Sequence, residues 1–221
     1  MMDYLGDSLA DDTILDVMVC KPATARFVSD GDRRLLLIGA AETVFLAKGY
    51  VDTTMADIAA KAGMSKKTIY QVFTSKADLF DALLLERLLA LPTLSATSDA
   101  AVPDTLRSML MGFGRALLDP RQISLTRLLI ANIASVPQAN AIVTRRCLDI
   151  KTAISQWLGI QVERGVFEIP DLMLATETLF GLAFAGLQTE LLLALRDTPT
   201  EEELARNVDW TVSIFMREFA R

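Results

Sequence analysis

Residues 53–80, TTMADIAAKAGMSKKTIYQVFTSKADLF, constrain the fold more than any other part of the chain. Thr54, Ser65 and Ser75 stand where helices would start, because a Ser or Thr side chain can accept a hydrogen bond from an unpaired amide of the first turn. Two of these residues are followed three positions later by Asp, close to capping-box spacing. Gly63 stands where the first helix must end, in the left-handed conformation that glycine adopts most easily. The sequence therefore predicts sharp turns between three helices.

Helical periodicity extends over most of the chain. From Asp32 to Gly49 apolar residues recur at helical spacing, and two adjacent stripes are predicted: Leu36, Ala40, Val44 and Ala47, with Leu37, Ala41 and Phe45 beside them. Further helices are predicted at about 55–62, 65–72, 76–90, 104–118, 122–135, 138–165, 171–196 and 200–220, with prolines near several of their starts. No alternating run predicts a strand, so the expected fold class is all-α.

The chain is predicted to divide into three segments. Residues 1–30 lack a clear period and hold six acids and two bases, which predicts a mobile acidic tail. Residues 31–90 are expected to form a small helical domain and 91–221 a larger helical bundle, joined by the connector LPTLSATSDAAVPD. The net charge is −6 for the chain but +1 for residues 31–90. Because a local cationic patch sets the field at a phosphate backbone, the acidic total does not exclude nucleic acid.

Composition argues against several classes of function. Hydrophobic residues make up 52% of the 221 residues, but the richest segment, 172–195, contains Glu177 and Glu190, which argues against a membrane span. The acidic N-terminus argues against a signal peptide, and two cysteines predict reduced thiols in the cytoplasm. The chain has no histidine, which removes the usual zinc ligand and general base. We therefore expect neither an enzyme nor a metal or other cofactor.

Residues 53–80 also have the composition of a helix–turn–helix. Ala59 supplies a small residue where two helices cross, Gly63 supplies the turn, and apolar residues line the inside: Ile58, Ala62, Met64, Ile69 and Phe73. The second helix is left with polar side chains that can hydrogen-bond phosphates or base edges: Lys66, Lys67, Thr68, Tyr70 and Gln71. In isolation, a Ser-Lys-Lys run is more often a solvated helix start and a tyrosine more often a partly buried core residue.

The sequence GYVDTTMADIAAKAGMSKKTIYQVFTSKADLF resembles the DNA-binding signature of the TetR family of bacterial transcriptional regulators. The resemblance covers about 45 residues, from roughly 40 to 84, and includes Gly49-Tyr50, Thr53-Thr54, Asp57-Ile58-Ala59, Ala62-Gly63, Ser65, Thr68, Tyr70, Phe73 and Ser75-Lys76. It implies a cytoplasmic homodimer that binds a double-stranded DNA operator and a small-molecule effector, with no membrane association.

The resemblance implies a role for each polar residue of the signature. Thr54 would hold a phosphate with its hydroxyl and the free amides of its helix. Ser65 would cap the recognition helix, and Thr68 would lie on its DNA-facing side. Groove-facing residues would be Lys66, Lys67 and Gln71, and backbone-contacting residues would be Tyr70 and Lys76. Two positions depart from the family pattern: Lys67 replaces a small residue, and Val72 replaces a His or Tyr that contacts phosphate.

A ligand pocket is predicted between the middle helices of the C-terminal bundle. The stretch LTRLLIANIASVPQANAIV resembles the ligand domains of repressors related to efflux-pump regulators. Aromatic and methionine side chains favour a lipophilic ligand, and Asn132 and Gln188 would orient it. The complete predicted lining is Met109, Phe113, Leu128, Asn132, Trp157, Phe184 and Gln188. Taken singly, each of these residues is equally compatible with an ordinary helical core.

The helix predicted at 171–196 is apolar nearly all round, and such a helix must be buried on two sides. In the family, the last two long helices form a four-helix interface between two copies, which predicts a homodimer; a single-chain core is the alternative.

The leading hypothesis is a ligand-responsive, homodimeric DNA-binding repressor. Two alternatives stay open. The first is a helical interaction protein of the same fold that has lost sequence-specific DNA binding. The second is an enzyme that uses carboxylate chemistry.

Overall fold

The computed structural model describes residues 29–88 and 101–221, and every regular element in these two ranges is helical. The first four helices are α1 (Asp30–Lys48), α2 (Met55–Lys61), α3 (Lys66–Val72) and α4 (Lys76–Arg87). The others are α5 (Val102–Leu117), α6 (Pro120–Asn132), α7 (Pro137–Glu163), α8 (Leu172–Leu192) and α9 (Glu201–Phe219). A 3-10 turn, Ile133–Ser135, joins α6 to α7, and Phe167 and Ala220 form an isolated antiparallel bridge. The all-α prediction is confirmed.

The helix boundaries follow the predicted signals within a few residues. Ser29 caps α1 through a capping box with Asp32, and α6 and α7 each begin at a proline. The predicted tail and most of the predicted connector lie outside the described residues, so the domain border near residue 90 stays a prediction.

The first hydrophobic core holds α1 to α4 together and extends into α6 and the start of α7. Phe45, Tyr50 and Phe80 contribute three mutually contacting rings, with centroids 4.9–5.6 Å apart. The stripe predicted on α1 is partly wrong, because Leu36 is 53% exposed and Ala47 is also exposed. Ile38, one position beyond the second stripe, is buried instead. The buried face of α1 is therefore centred on the second predicted stripe rather than the first.

The second hydrophobic core lies among α5, α7, α8 and α9. A side chain at position 114 would crowd this core, because a Cβ atom on Gly114 would lie 2.7 Å from Leu204 Cδ1 and 3.0 Å from Phe184 Cε1 and these side chains would have to shift. Its absence lets α5 approach α9 closely, and two surface ion pairs, Arg107–Asp209 and Arg115–Glu201, lie along the same contact.

Helix α8 is continuous but contains a π turn at Gly181–Ala185. The side-chain amide of Asn207, on α9, donates to the Ala183 carbonyl in this turn at 2.5 Å. Helix α8 is long and apolar enough to cross a membrane by length and composition alone. Only 28% of its apolar window is buried in the protomer. Exposed apolar residues, including Leu174 and Leu182, account for much of that apolar character.

Candidate nucleic-acid interface

Helices α2 and α3 are joined by a tight turn of the predicted kind. Gly63 has φ = 66°, and its amide donates to the Ala60 carbonyl at 3.1 Å. The Met64 amide donates to the Ala59 carbonyl at 2.8 Å. This pair of hydrogen bonds is the Schellman motif, which satisfies the last carbonyls of a helix and requires a residue that tolerates positive φ. The glycine therefore fixes the angle at which α3 leaves α2.

All three predicted caps are present, although their partners differ. Thr54 and Asp57 form a reciprocal capping box: the Asp57 amide donates to Thr54 Oγ1 at 3.2 Å, and the Thr54 amide donates to Asp57 Oδ2 at 2.9 Å. Ser65 Oγ accepts from the Thr68 amide at 3.1 Å. Ser75 accepts from the Asp78 amide, but the Asp78 carboxylate accepts from the amide of Thr74 instead. Each helix of this segment thus starts at the residue that the sequence predicts.

Helix α3 is anchored by one side and exposed on the other. Ile69 is fully buried in the first core, whereas Lys66, Lys67, Tyr70 and Gln71 are exposed. Tyr70 is 54% exposed, which excludes the partly buried core role considered from sequence. Among the described residues, neither lysine has an ion-pair partner. The structure therefore gathers the predicted groove-facing residues on a single solvent-facing surface.

One ion pair links the two helices that precede α3. Lys48 Nζ lies 2.9 Å from Asp57 Oδ1, so the carboxylate that caps α2 also pairs with α1. Hydrogen bonds from Thr54 and from Lys48 hold the pKa of Asp57 well below its usual range. Asp57 therefore stays ionised and keeps both partners down to low pH.

Lys76 has a structural role that the sequence did not reveal. Its ammonium group donates to the carbonyls of Tyr50 (2.7 Å), Val51 (3.0 Å) and Thr53 (2.8 Å), and it lies 4.5 Å from the centre of the Tyr50 ring. An ammonium group has three N–H donors, so all of them are in use. This geometry speaks against the predicted contact of Lys76 with the DNA backbone. The lysine instead holds the turn between α1 and α2 against the start of α4.

Two arginines near α3 were missed from sequence. Arg33 and Arg34, in the first turns of α1, line a groove of about 560 Å³ together with Thr68 and Gln71 of α3. The Arg34 guanidinium lies 4.7 Å from the centre of the Phe73 ring, a cation–π contact that fixes its position. The sequence feature that could have indicated their role is the position of this Arg-Arg pair one turn into an amphipathic helix. The predicted surface is thereby extended from α3 to α1.

Helix α6 connects this part of the molecule to the C-terminal bundle through hydrogen bonds. Arg121 makes a two-pronged pair with the buried carboxylate of Glu42 on α1, and Gln122 Nε2 donates to the Arg87 carbonyl at 2.6 Å. Further along α6, Arg127 donates to the carbonyls of Leu191 and Leu192 at the end of α8. One helix therefore contacts α1, α4 and α8 through directional bonds.

The predicted ligand-pocket residues do not all come together. Met109, Phe113 and Phe184 lie in the second core, with Trp157 packed against it, but Leu128 belongs to the first core. Asn132 is buried, and its side-chain amide donates to the Leu128 carbonyl of its own helix at 2.8 Å. It is therefore not placed to orient a ligand among the other predicted residues, and Gln188 is only partly buried.

Gln161 is a buried polar residue that the sequence reasoning missed. It is 4% exposed and stands one helical turn after Trp157 on α7. In the second core, the Phe180 ring contacts the rings of Phe113 and Phe184, with centroids 5.5 and 5.7 Å away. The sequence feature that could have indicated the burial of Gln161 is its position four residues, about one helical turn, after Trp157. The aromatic part of the predicted pocket thus lies among α5, α7 and α8.

Known proteins match this chain in both halves. The family profile described as "Bacterial regulatory proteins, tetR family" matches residues 37–83, and the profile described as "AefR-like transcriptional repressor, C-terminal domain" matches residues 104–221. The HTH-type transcriptional regulator TtgR of Pseudomonas putida is 45% identical over 53 residues, which are 24% of this chain. The chain matches only 25% of the length of that relative.

Two solved structures extend the similarity to most of the chain. A TetR-family transcriptional regulator from Mesorhizobium loti is 26% identical with a TM-score of 0.77, covering 87% of this chain and 98% of its own. The flavonoid-responsive regulator FrrA is 25% identical with a TM-score of 0.69, covering 86% of this chain and 98% of its own.

Proposed function

We propose, from the premise that this chain belongs to the TetR family of bacterial transcriptional regulators, that it is a cytoplasmic, homodimeric repressor released from DNA by a small lipophilic effector. The observation that carries the proposal is the exposed face of α3, where Lys66, Lys67, Tyr70 and Gln71 lie together without described ion-pair partners. A lysine can donate to guanine O6 and N7, and a glutamine can pair with adenine N6 and N7. Tyr70 would contact the DNA backbone.

Thr54 and Ser65 would support this interface from the helix starts. Both are exposed caps at the N-termini of α2 and α3, where free amides and the helix dipole favour an anion. Thr68 shares a 2.9 Å hydrogen bond with the Ser65 hydroxyl and is half-buried, so it would position the cap rather than read a base.

Dimerisation through α8 and α9 is supported by apolar side chains that the protomer leaves exposed. Leu174 is 60%, Leu182 45% and Trp210 63% exposed. Contiguous exposed apolar surface is typical of protein–protein interfaces. A second copy, related by a two-fold axis, would cover the same surface on both protomers. This interface also accounts for the apolar composition of α8 in a cytoplasmic protein.

The effector would bind in the second core, beside the rings of Phe113, Phe180 and Phe184. Trp157 and the buried amide of Gln161 offer a flat apolar surface and a polar group to orient an aromatic ligand. The similarity to a flavonoid-responsive regulator favours this ligand class.

Release from DNA would use α6 as the connection between the two halves. Effector binding that displaces α8 would move α6 through Arg127, and α6 would move α1 and α4 through Arg121 and Gln122. The two states differ in the separation of the α3 helices, so the effector shifts the equilibrium away from the DNA-bound state.

Selection of bound sequences from a random duplex pool tests the proposal. We expect a pseudo-palindrome, because two identical α3 helices related by a two-fold axis require matching half-sites. Gln71→Ala should relax the preference at one base pair per half-site, by roughly 1–3 kcal/mol of discrimination. A pool without enrichment would favour the alternative of a helical interaction protein that has lost sequence-specific binding.

A further inference from the structure

The groove beside α3 carries more positive than negative charge. Four cations lie in it or on the adjoining face of α3, namely Arg33, Arg34, Lys66 and Lys67, against the single carboxylate of Asp30. Asp30 pairs with Arg33 at 3.1 Å, but its side chain is 95% exposed, and such surface pairs contribute little. Lys67 precedes Gln71 by four residues, so both project from one side of α3. The groove and this face thus form a continuous cationic surface.

Like Arg33, Arg34 has acidic neighbours. It also borders an adjacent groove that contains Asp78 and Asp81. Asp78 accepts hydrogen bonds from the amide and hydroxyl of Thr74, so its carboxylate is already engaged. Burial and the charge of Asp78 raise the pKa of the Asp81 carboxyl. The lysine face of α3 remains the part of the surface without local compensation.

The chain that precedes Ser29 enters the fold at the edge of this groove. Ser29 caps α1 directly before Asp30, which lines the groove. Residues 3–16 contain five aspartates and no lysine or arginine: Asp3, Asp7, Asp11, Asp12 and Asp16. The chain from Asp16 to Ser29 advances thirteen positions, and a peptide of that length can reach at most about 45 Å. Since α3 is about 10 Å long, these carboxylates can reach its whole exposed face.

We propose that residues 3–16 of the same chain dock on the cationic groove between α1 and α3 and compete with DNA for it. Charge complementarity and the point of entry of the chain carry this proposal, and its consequence for DNA rests on the proposed function. Because the competitor is tethered, its local concentration stays high at any protein concentration. DNA held only through phosphate contacts is disfavoured most, whereas an operator with base contacts displaces the acidic segment. The segment therefore raises the selectivity for operator over other DNA.

Cross-linking without DNA tests the docking itself. A carbodiimide joins a carboxylate to a neighbouring lysine amine with loss of water. Applied to the full chain at low salt, it should link peptides containing residues 3–16 to Lys66 or Lys67. Lys61 is the matched control, because it is an exposed lysine at the end of α2 rather than on the face of α3 that adjoins the groove. Links that form equally with Lys61, or no links to α3, would overturn the proposal.

Duplex affinity tests the competition. In the full chain, replacing the five aspartates of residues 3–16 by asparagine should tighten binding to a random-sequence duplex at low salt. The expected gain is about 2- to 10-fold for each protomer that contacts the duplex, the factor for a surface blocked half to nine tenths of the time. This difference should shrink as salt screens the contact. A control variant neutralises five exposed carboxylates elsewhere: Asp104, Asp149, Glu163, Asp197 and Glu218.

The two measurements separate the possible failures. An equal gain in duplex affinity in both variants would mean that the net charge alone changes the affinity, and it would overturn the proposed competition. If no variant binds any duplex while the cross-links to α3 form, the docking stands and the proposed function fails.

Discussion

Helices α3 and α8 expose opposite chemistry although both are anchored by buried apolar residues. On α3, Ile69 is buried and the exposed face carries lysines, a tyrosine and a glutamine. On α8, Leu179 is buried and the exposed face carries Leu174 and Leu182. A charged face is stable in water and stays available to a polyanion, whereas exposed apolar area costs about 25 cal/mol per Å² relative to burial. The contrast is consistent with the two partners of the proposed function, DNA for α3 and a second copy for α8.

The largest expected effect comes from placing charge on the apolar face. Leu174→Glu combined with Leu182→Glu should convert the proposed dimer to monomers, because an uncompensated buried charge costs about 3–5 kcal/mol. Sedimentation equilibrium measures the change. The control is Leu148→Glu, at an equally exposed position on α7, which should stay dimeric. Leu191 is a poorer probe because it is buried in the second core and its replacement would unfold the protomer.

Removing charge from α3 should weaken DNA binding without affecting the fold. In Lys66→Ala combined with Lys67→Ala, the slope of log affinity against log salt should fall by about one to two for each protomer if the lysines contact phosphates. Thermal stability should stay within about 0.5 kcal/mol of wild type, because both side chains are exposed. An unchanged affinity and salt slope would show that this face is not the DNA interface.

Lys76→Met should have the reverse effect, because it should lower the stability of the fold rather than the affinity for DNA. The substitution keeps much of the side-chain length but leaves the carbonyls of Tyr50, Val51 and Thr53 without their shared donor, which should cost about 1–2 kcal/mol of unfolding free energy. Chemical denaturation measures this loss. Stability equal to wild type, together with weaker DNA binding, would return Lys76 to the role of a phosphate contact.

The smallest effect is expected at the start of α2. Thr54→Ala should lower the unfolding free energy by about 1 kcal/mol, the usual contribution of a cap. Asp57→Asn should also destabilise at neutral pH. Because the folded pKa of Asp57 lies below its unfolded value of about 3.9, its stabilisation is complete above that pH and is lost as the pH falls further. The stability difference between Asp57→Asn and wild type should therefore shrink below about pH 4, and a constant difference would contradict this cause.

Local rules made the first part of the fold predictable. Caps at Thr54, Ser65 and Ser75 and the turn at Gly63 depend on residues within five positions, so the sequence determines them directly. The exposure of the α3 face followed from the burial of Ile69 and Phe73 on its other side.

Contacts between distant residues were not predictable in the same way. Lys76 meets carbonyls more than 20 positions away, and Arg121 meets Glu42 across 79 positions. A lysine near a helix start looks the same in sequence whether it contacts phosphate or its own chain. The predicted pocket combined residues that lie in two different cores for a related reason. Helical spacing in a sequence predicts which face of a helix is buried, but it does not predict which other helix packs against that face.

The π turn of α8 has a consequence for partner choice. Such a turn accommodates one extra residue, so side chains after Ala185 are rotated by about 100° relative to an uninterrupted α-helix. In the proposed two-fold interface both copies carry the same offset, and their surfaces match. A relative with an uninterrupted helix would present its second half to the wrong side. In the proposed interface the extra residue would therefore disfavour mixed dimers with proteins whose corresponding helix is uninterrupted.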